Sequence, residues 1–136
     1  MENAAFRLDS YRFVKASLNF DVPDDAVLNI NICPSGIYHQ SEGRYVLTFV
    51  VEVSCDEDKT EVVNVNCMAV FLFSEQMPLE EIPSFFYPNS LAIMFPYVRA
   101  FVSTITLQAN VPPVIIPTLN LMGLTDELRN NTRNAE

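Results

Sequence analysis

The sequence predicts an α+β chain in which a sheet is formed first and a long helix is laid on it afterwards. Three observations predict it. Four stretches between Tyr11 and Phe73 alternate apolar and polar residues, the period of strands. The run from Pro88 to Asn110 is apolar almost all the way round, with Arg99 its only full charge. A proline-punctuated linker precedes that run and another follows it. Strands grouped before helices are the α+β order.

Residues 1–10 read as a loose lead-in. From Tyr11 to Phe20, Val14, Ala16, Leu18 and Phe20 alternate with polar residues, giving a half-buried strand that Asp21-Val-Pro-Asp-Asp25 ends. Val27 to Cys33 alternates again, with Leu28, Ile30 and Ile32 inward. Pro34-Ser-Gly36 and Ser41-Glu-Gly43 are turn signals. Arg44 to Cys55 is a long strand with Tyr45, Leu47, Phe49, Val51 and Val53 on one face. Asp56 to Thr60 is a charged hairpin loop. Glu61 to Phe73 returns, with Val63, Val65, Cys67, Ala69, Phe71 and Phe73 on one side. The opposite faces of these two strands are also partly apolar, so something covers each face. One cover is the chain's own helix and the other a second subunit.

Residues 74–88 form an apolar crossover loop carrying Met77, Leu79, Ile82, Phe85, Phe86 and Tyr87. Loops are polar where their backbone meets water, so this one covers core or contributes a binding surface. The helix after it carries a stripe at Leu91, Phe95, Val98, Val102, Ile105 and Ala109, the spacing of a helix–helix seam, beside a second stripe of Met94, Tyr97 and Phe101. Pro96 marks either its first turn or a bend. Pro112, Pro113 and Pro117 force an extended path, a weak helix spans about Asn120 to Asn131, and 132–136 is a tail. A helix with no polar face needs cover on both sides. That argues for an oligomer whose interface takes Leu91, Phe95, Val98, Val102 and Ile105.

The 136 residues make one domain, 49% apolar and 18% charged, with a net charge of −9. No basic residue stands between Lys59 and Arg99. Nucleic acid and anionic membranes are disfavoured partners, and a charged partner is expected to be basic. Cys33, Cys55 and Cys67 read as reduced small hydrophobes of a cytoplasmic protein. Neither a signal peptide nor an uninterrupted membrane span is expected.

Chemistry is scarce. His39 stands beside a turn without metal-ligand spacing to any partner. Cys67 has no basic neighbour to activate it. Three glycines supply no phosphate loop. Asp24-Asp25 and Glu80-Glu81 are solvated loop pairs, and Arg99 reads as a snorkelling or ion-paired interface side chain. No enzyme, cofactor or metal is expected.

The elements Pro88-Asn89, Phe95-Pro-Tyr-Val-Arg99 and Ile116-Pro-Thr-Leu-Asn120, with Asn19-Phe-Asp-Val-Pro23 upstream, occur in the order of the SecB family, which this chain resembles. The resemblance implies a four-stranded antiparallel sheet with the long helix packed on it. It implies a homotetramer, a dimer of dimers, that holds unfolded precursor polypeptides without ATP and delivers them to the SecA motor. Clients would lie in a groove between the crossover loop (Met77, Leu79, Ile82, Phe85, Phe86, Tyr87) and the last helix (Leu121, Leu124, Leu128). SecA would dock on acidic residues, Asp21, Asp24, Asp25 and Glu61. Met68-Ala69 stands where the family carries two glycines, and Ser17 and Asn64 where it carries acids, so SecA contacts should be weak and salt-sensitive. A SecB-like chaperone dedicated to a toxin–antitoxin pair or another client is an alternative. A small-ligand-binding α+β domain is another.

Overall fold

The computed structural model describes residues 5–117 and 121–135. Strands β1 (Phe6–Leu18), β2 (Leu28–His39), β3 (Arg44–Cys55) and β4 (Glu61–Phe73) precede a long helix α1 (Phe86–Gln108), a short helix α2 (Leu121–Asn130) and a strand β5 (Thr132–Asn134). Their order across the sheet is β1-β4-β3-β2-β5. β5 runs parallel to β2. The sheet is therefore five-stranded and mixed, which corrects the expectation of four antiparallel strands. A three-residue strand has no period to read, and its segment looked like a tail.

β3 and β4 have the expected bounds. Their hairpin closes with Lys59 in the left-handed region at φ 63°. Asp58 accepts a hydrogen bond from the Thr60 backbone N–H at 3.0 Å, which holds its carboxyl below the usual range. β1, by contrast, starts at Phe6, inside the expected lead-in, and ends at Leu18. Two register shifts, between Leu8 and Ser10 and between Phe13 and Lys15, interrupt its alternation. Each bulge reverses the phase, so Phe6, Leu8, Tyr11, Phe13, Ala16 and Leu18 face α1 while Val14, expected inward, is half exposed.

β2 runs straight through Pro34 and Gly36, where turns were expected. Gly36 donates its N–H outward to the Asn131 carbonyl at 3.2 Å. Pro34, two residues earlier on the same edge, lacks an N–H that β3 does not need. Gly36 leaves room for the Tyr45 ring, which lies over it.

α1 begins at Phe86, with Pro88 in its first turn and Pro96 inside it. By length and composition it is apolar enough to cross a membrane. Here its Phe86, Leu91, Met94, Val98 and Val102 are buried in the chain's own core, with the inner-face residues of β3 and β4. Burial pushes the Cys67 thiol up to about 11. After Asn110, at φ 63°, the proline link doubles back along the helix. Thr106 Oγ1 accepts from the Val114 N–H at 2.9 Å, and Ser103 Oγ donates to the Val114 carbonyl at 3.0 Å.

Candidate polypeptide-binding surfaces

The crossover loop is anchored rather than loose. Tyr38 donates its hydroxyl to the Met77 carbonyl at 2.7 Å, and Met77 itself is buried. From that anchor the chain passes through a 3-10 turn at Leu79–Glu81 and enters α1. Because α1 starts at Phe86, its neighbours Phe85 and Tyr87 leave the backbone toward different elements.

On the α2 side, Leu79, Ile82, Ser84, Tyr87, Arg129 and Thr132 line a recess of about 350 Å³. Ile82 and Tyr87 are almost fully buried and form its floor. The Arg129 guanidinium lies 4.9 Å from the Tyr87 ring centroid, and its Nη2 reaches the Ser84 carbonyl at 3.5 Å. A cation over an aromatic face is favourable. Burial raises the Tyr87 hydroxyl pKa, and the Arg129 charge works against that shift.

On the β1 side the aromatics pair across the gap between strand and helix. Phe6 and Phe85 have ring centroids 6.5 Å apart, Tyr11 and Tyr97 4.7 Å, and Phe13 and Phe101 stack at 3.9 Å. An open recess of about 520 Å³ runs between Tyr11, Phe13, Tyr97 and Phe101. Phe85, Tyr11 and Tyr97 are 41%, 40% and 44% exposed.

The groove expected from sequence is thus divided. Leu79, Ile82 and Tyr87 meet α2, whereas Phe85 turns to Phe6 of β1. Phe86 and Leu128 are fully buried beneath these surfaces, Leu124 is partly buried against the core, and the side chain of Leu121 lies outside the described residues. The aromatics Phe6, Tyr11 and Phe13 were missed, because the bulges concealed that they share one face. Of the residues expected at an oligomer interface, Leu91, Val98 and Val102 are fully buried within the single chain, with Phe95 and Ile105 partly buried beside them.

The acidic residues gather at one end of the sheet. Asp21, Asp24 and Asp25 lie in the β1–β2 loop, and Asp56 and Glu57 in the β3–β4 hairpin. The Asp56 N–H donates to the Val27 carbonyl at 2.8 Å, which brings loop and hairpin together, and Asp25, Asp56 and Glu57 share a recess. Glu61 accepts from Asn64 Nδ2 at 3.1 Å. Ser17 and Asn64 are register partners on the sheet face away from α1. His39 ends β2 opposite Arg44.

Residues 20–131 match the family model described as preprotein translocase subunit SecB. An uncharacterized protein of Methanocaldococcus jannaschii is 35% identical over 102 residues, covering 71% of this chain, and this chain spans 64% of that curated relative's length. The structure of the Mycobacterium tuberculosis SecB-like chaperone Rv1957, in complex with a ChAD peptide from the HigA1 antitoxin, superposes with a TM-score of 0.70 at 13% identity. It covers 85% of this chain and 88% of that one, a likeness of fold. A Streptococcus agalactiae protein of unknown function gives a TM-score of 0.46 at 10% identity, over 86% of this chain and 100% of that one.

Proposed function

Because this chain belongs to the SecB family of preprotein translocase subunits, we propose that it is an ATP-independent holdase that binds unfolded polypeptides in the two recesses beside α1. The observation that carries this reading is the aromatic exposure of Phe85 in the turn before α1, Tyr11 on β1 and Tyr97 on α1. Aromatic rings offer a large contact area at low conformational cost, and an extended client can lay alternate apolar side chains on them. Leu79, Ile82 and Tyr87, opposite α2, form the second station. Holding needs only reversible burial of apolar surface, so no chemical step is required.

The assembly we propose is a cytoplasmic homotetramer. Its helix contacts fall to the outward side chains Ile93 and Leu107, because Leu91, Val98 and Val102 are already enclosed. Delivery to SecA would use the acidic end at Asp21, Asp24, Asp25 and Glu61. A second reading, a chaperone dedicated to one client such as an antitoxin, is supported by Ser17 and Asn64 standing together where the family carries acids. Rv1957, the fold neighbour, holds such a peptide. The open β1-side recess speaks against a small-ligand carrier, which encloses its ligand.

The test is suppression of aggregation of a chemically denatured protein. The wild-type chain should suppress it, and a Phe85→Ser/Leu79→Ser variant that keeps its fold and assembly should suppress it far less. A wild-type chain that leaves aggregation unchanged at stoichiometric amounts would sink the holdase reading.

A further inference from the structure

We propose that the sheet face turned away from α1, on which Ser17 and Asn64 replace the family's acids, docks an acidic, amphipathic polypeptide segment. Cross-strand register places its side chains in rows. Leu72 stands between Arg7 and Arg44, and Met68 between Arg12 and Thr48. Lys15 stands beside Asn66 in the next row. Four of the eight Lys and Arg residues of a chain with net charge −9 therefore share this one face, with Glu52 one row beyond Lys15 toward the acidic end. Arg7 is held by Asp9 at 3.2 Å and Arg44 by Glu42 at 2.6 Å. Among the described residues, no carboxylate lies within ion-pair distance of Arg12 or Lys15.

Beside this cationic edge runs an apolar strip. Val70, Val46 and Ile37 form a continuous row across three strands, with Met68 below them. Met68 and Ile37 are 38% and 37% exposed. The strip lies on the opposite face from α1. An extended segment that alternates acidic and apolar residues matches both features. A basic segment would be repelled by the edge. A long polyanion or a bilayer would also run into the acidic end at Asp56 and Glu57, whereas a short segment fits between. The charge preference is the reverse of that expected for the acidic end, so one partner chemistry does not serve both surfaces.

The experiment uses the full chain and fluorescently labelled peptides that alternate Leu with Glu, with Lys or with Ser, read by anisotropy at low and raised salt. The Glu peptide should bind best, and its binding should weaken with salt. Arg12→Glu/Lys15→Glu, at two exposed positions, should weaken it by about tenfold or more. Met68→Asp should also weaken it. In a Phe85→Ser/Leu79→Ser background, which removes the holdase recesses, the salt-sensitive preference for the Glu peptide and its loss on Arg12→Glu/Lys15→Glu should persist, so failure here is distinguishable from failure of the holdase reading. Several results would overturn the proposal: equal or tighter binding of the Lys peptide, no binding of the Glu peptide, or Glu-peptide binding that ignores the charge reversal. Capture by phosphatidylserine vesicles in preference to the peptide would overturn it as well.

Discussion

Replacing Gly36 with alanine should damage the fold out of proportion to one methyl group. A Cβ at position 36 would meet Cε1 of Tyr45 at 2.7 Å, and would press still closer on the ring's hydroxyl end. The ring has nowhere to go. It is fully buried, with Phe86 at a centroid distance of 4.7 Å and Tyr87 at 6.3 Å. Its hydroxyl lies 2.5 Å from Thr132 Oγ1. Thr132 spends its own proton on the Leu128 carbonyl at 2.7 Å, so Tyr45 is the donor in that bond. Forced overpacking costs about 1–3 kcal/mol, and loss of the hydrogen bond about 1 kcal/mol. The combined loss of about 2–4 kcal/mol should appear in urea denaturation, with Tm lowered by roughly 8–15 °C. Tyr45→Phe removes only that bond and should cost about 1 kcal/mol, whereas Thr132→Val also removes the bond to the Leu128 carbonyl and should cost about 2 kcal/mol. A Gly36→Ala chain within about 0.5 kcal/mol of wild type would refute the argument that the ring is immovable.

Three other outcomes are expected. Thr106→Val strips the buried Val114 N–H of its acceptor and should cost about 1–3 kcal/mol, with proteolysis of the proline link as a second readout. With its pKa raised from 9.0 to about 11, the neutral Cys67 thiol contributes stability that is complete below pH 9 and lost as pH rises through about 11; pH-dependent denaturation checks this, and flat stability across that window would contradict it. Binding to SecA should be weak and should fade with added salt, because exposed pairs contribute only about 0–1 kcal/mol each; calorimetry on Asp24→Lys/Asp25→Lys, with binding unchanged, would remove the acidic end from consideration.

Where alternation was unbroken, the sequence was legible to the residue. Arg44–Cys55 and Glu61–Phe73 were read with correct ends because a charged loop separates two uninterrupted periods. β1 was misread at both ends, since two bulges shift its phase and make Phe6 and Leu8 look like lead-in. Pro34 and Gly36 break most strands. Here one lies where no ladder bond is lost and the other where a ring replaces its side chain, and neither fact exists before the strands are placed. The crossover loop was correctly singled out as apolar. Its division between two sides of α1 could not be read, because adjacent residues diverge only once the helix start at Phe86 is known. The helix stripe was real, yet periodicity cannot say whether a stripe meets the chain's own sheet or a neighbour's.

The clasp of β5 on β2 carries a consequence for timing. Asn131 bonds the Pro34 carbonyl across a sequence separation of 97, so an early-made strand keeps its outer edge open until a late segment arrives. Such distant pairing is slow to form, because a long loop must close before any contact rewards it. During synthesis the β3–β4 hairpin and α1 can assemble while that edge stays bare. The recess walled by α2 does not exist until residues 121–134 have been made and docked. A nascent copy therefore cannot use that recess on a client, and is itself, for that interval, a chain with an unguarded strand.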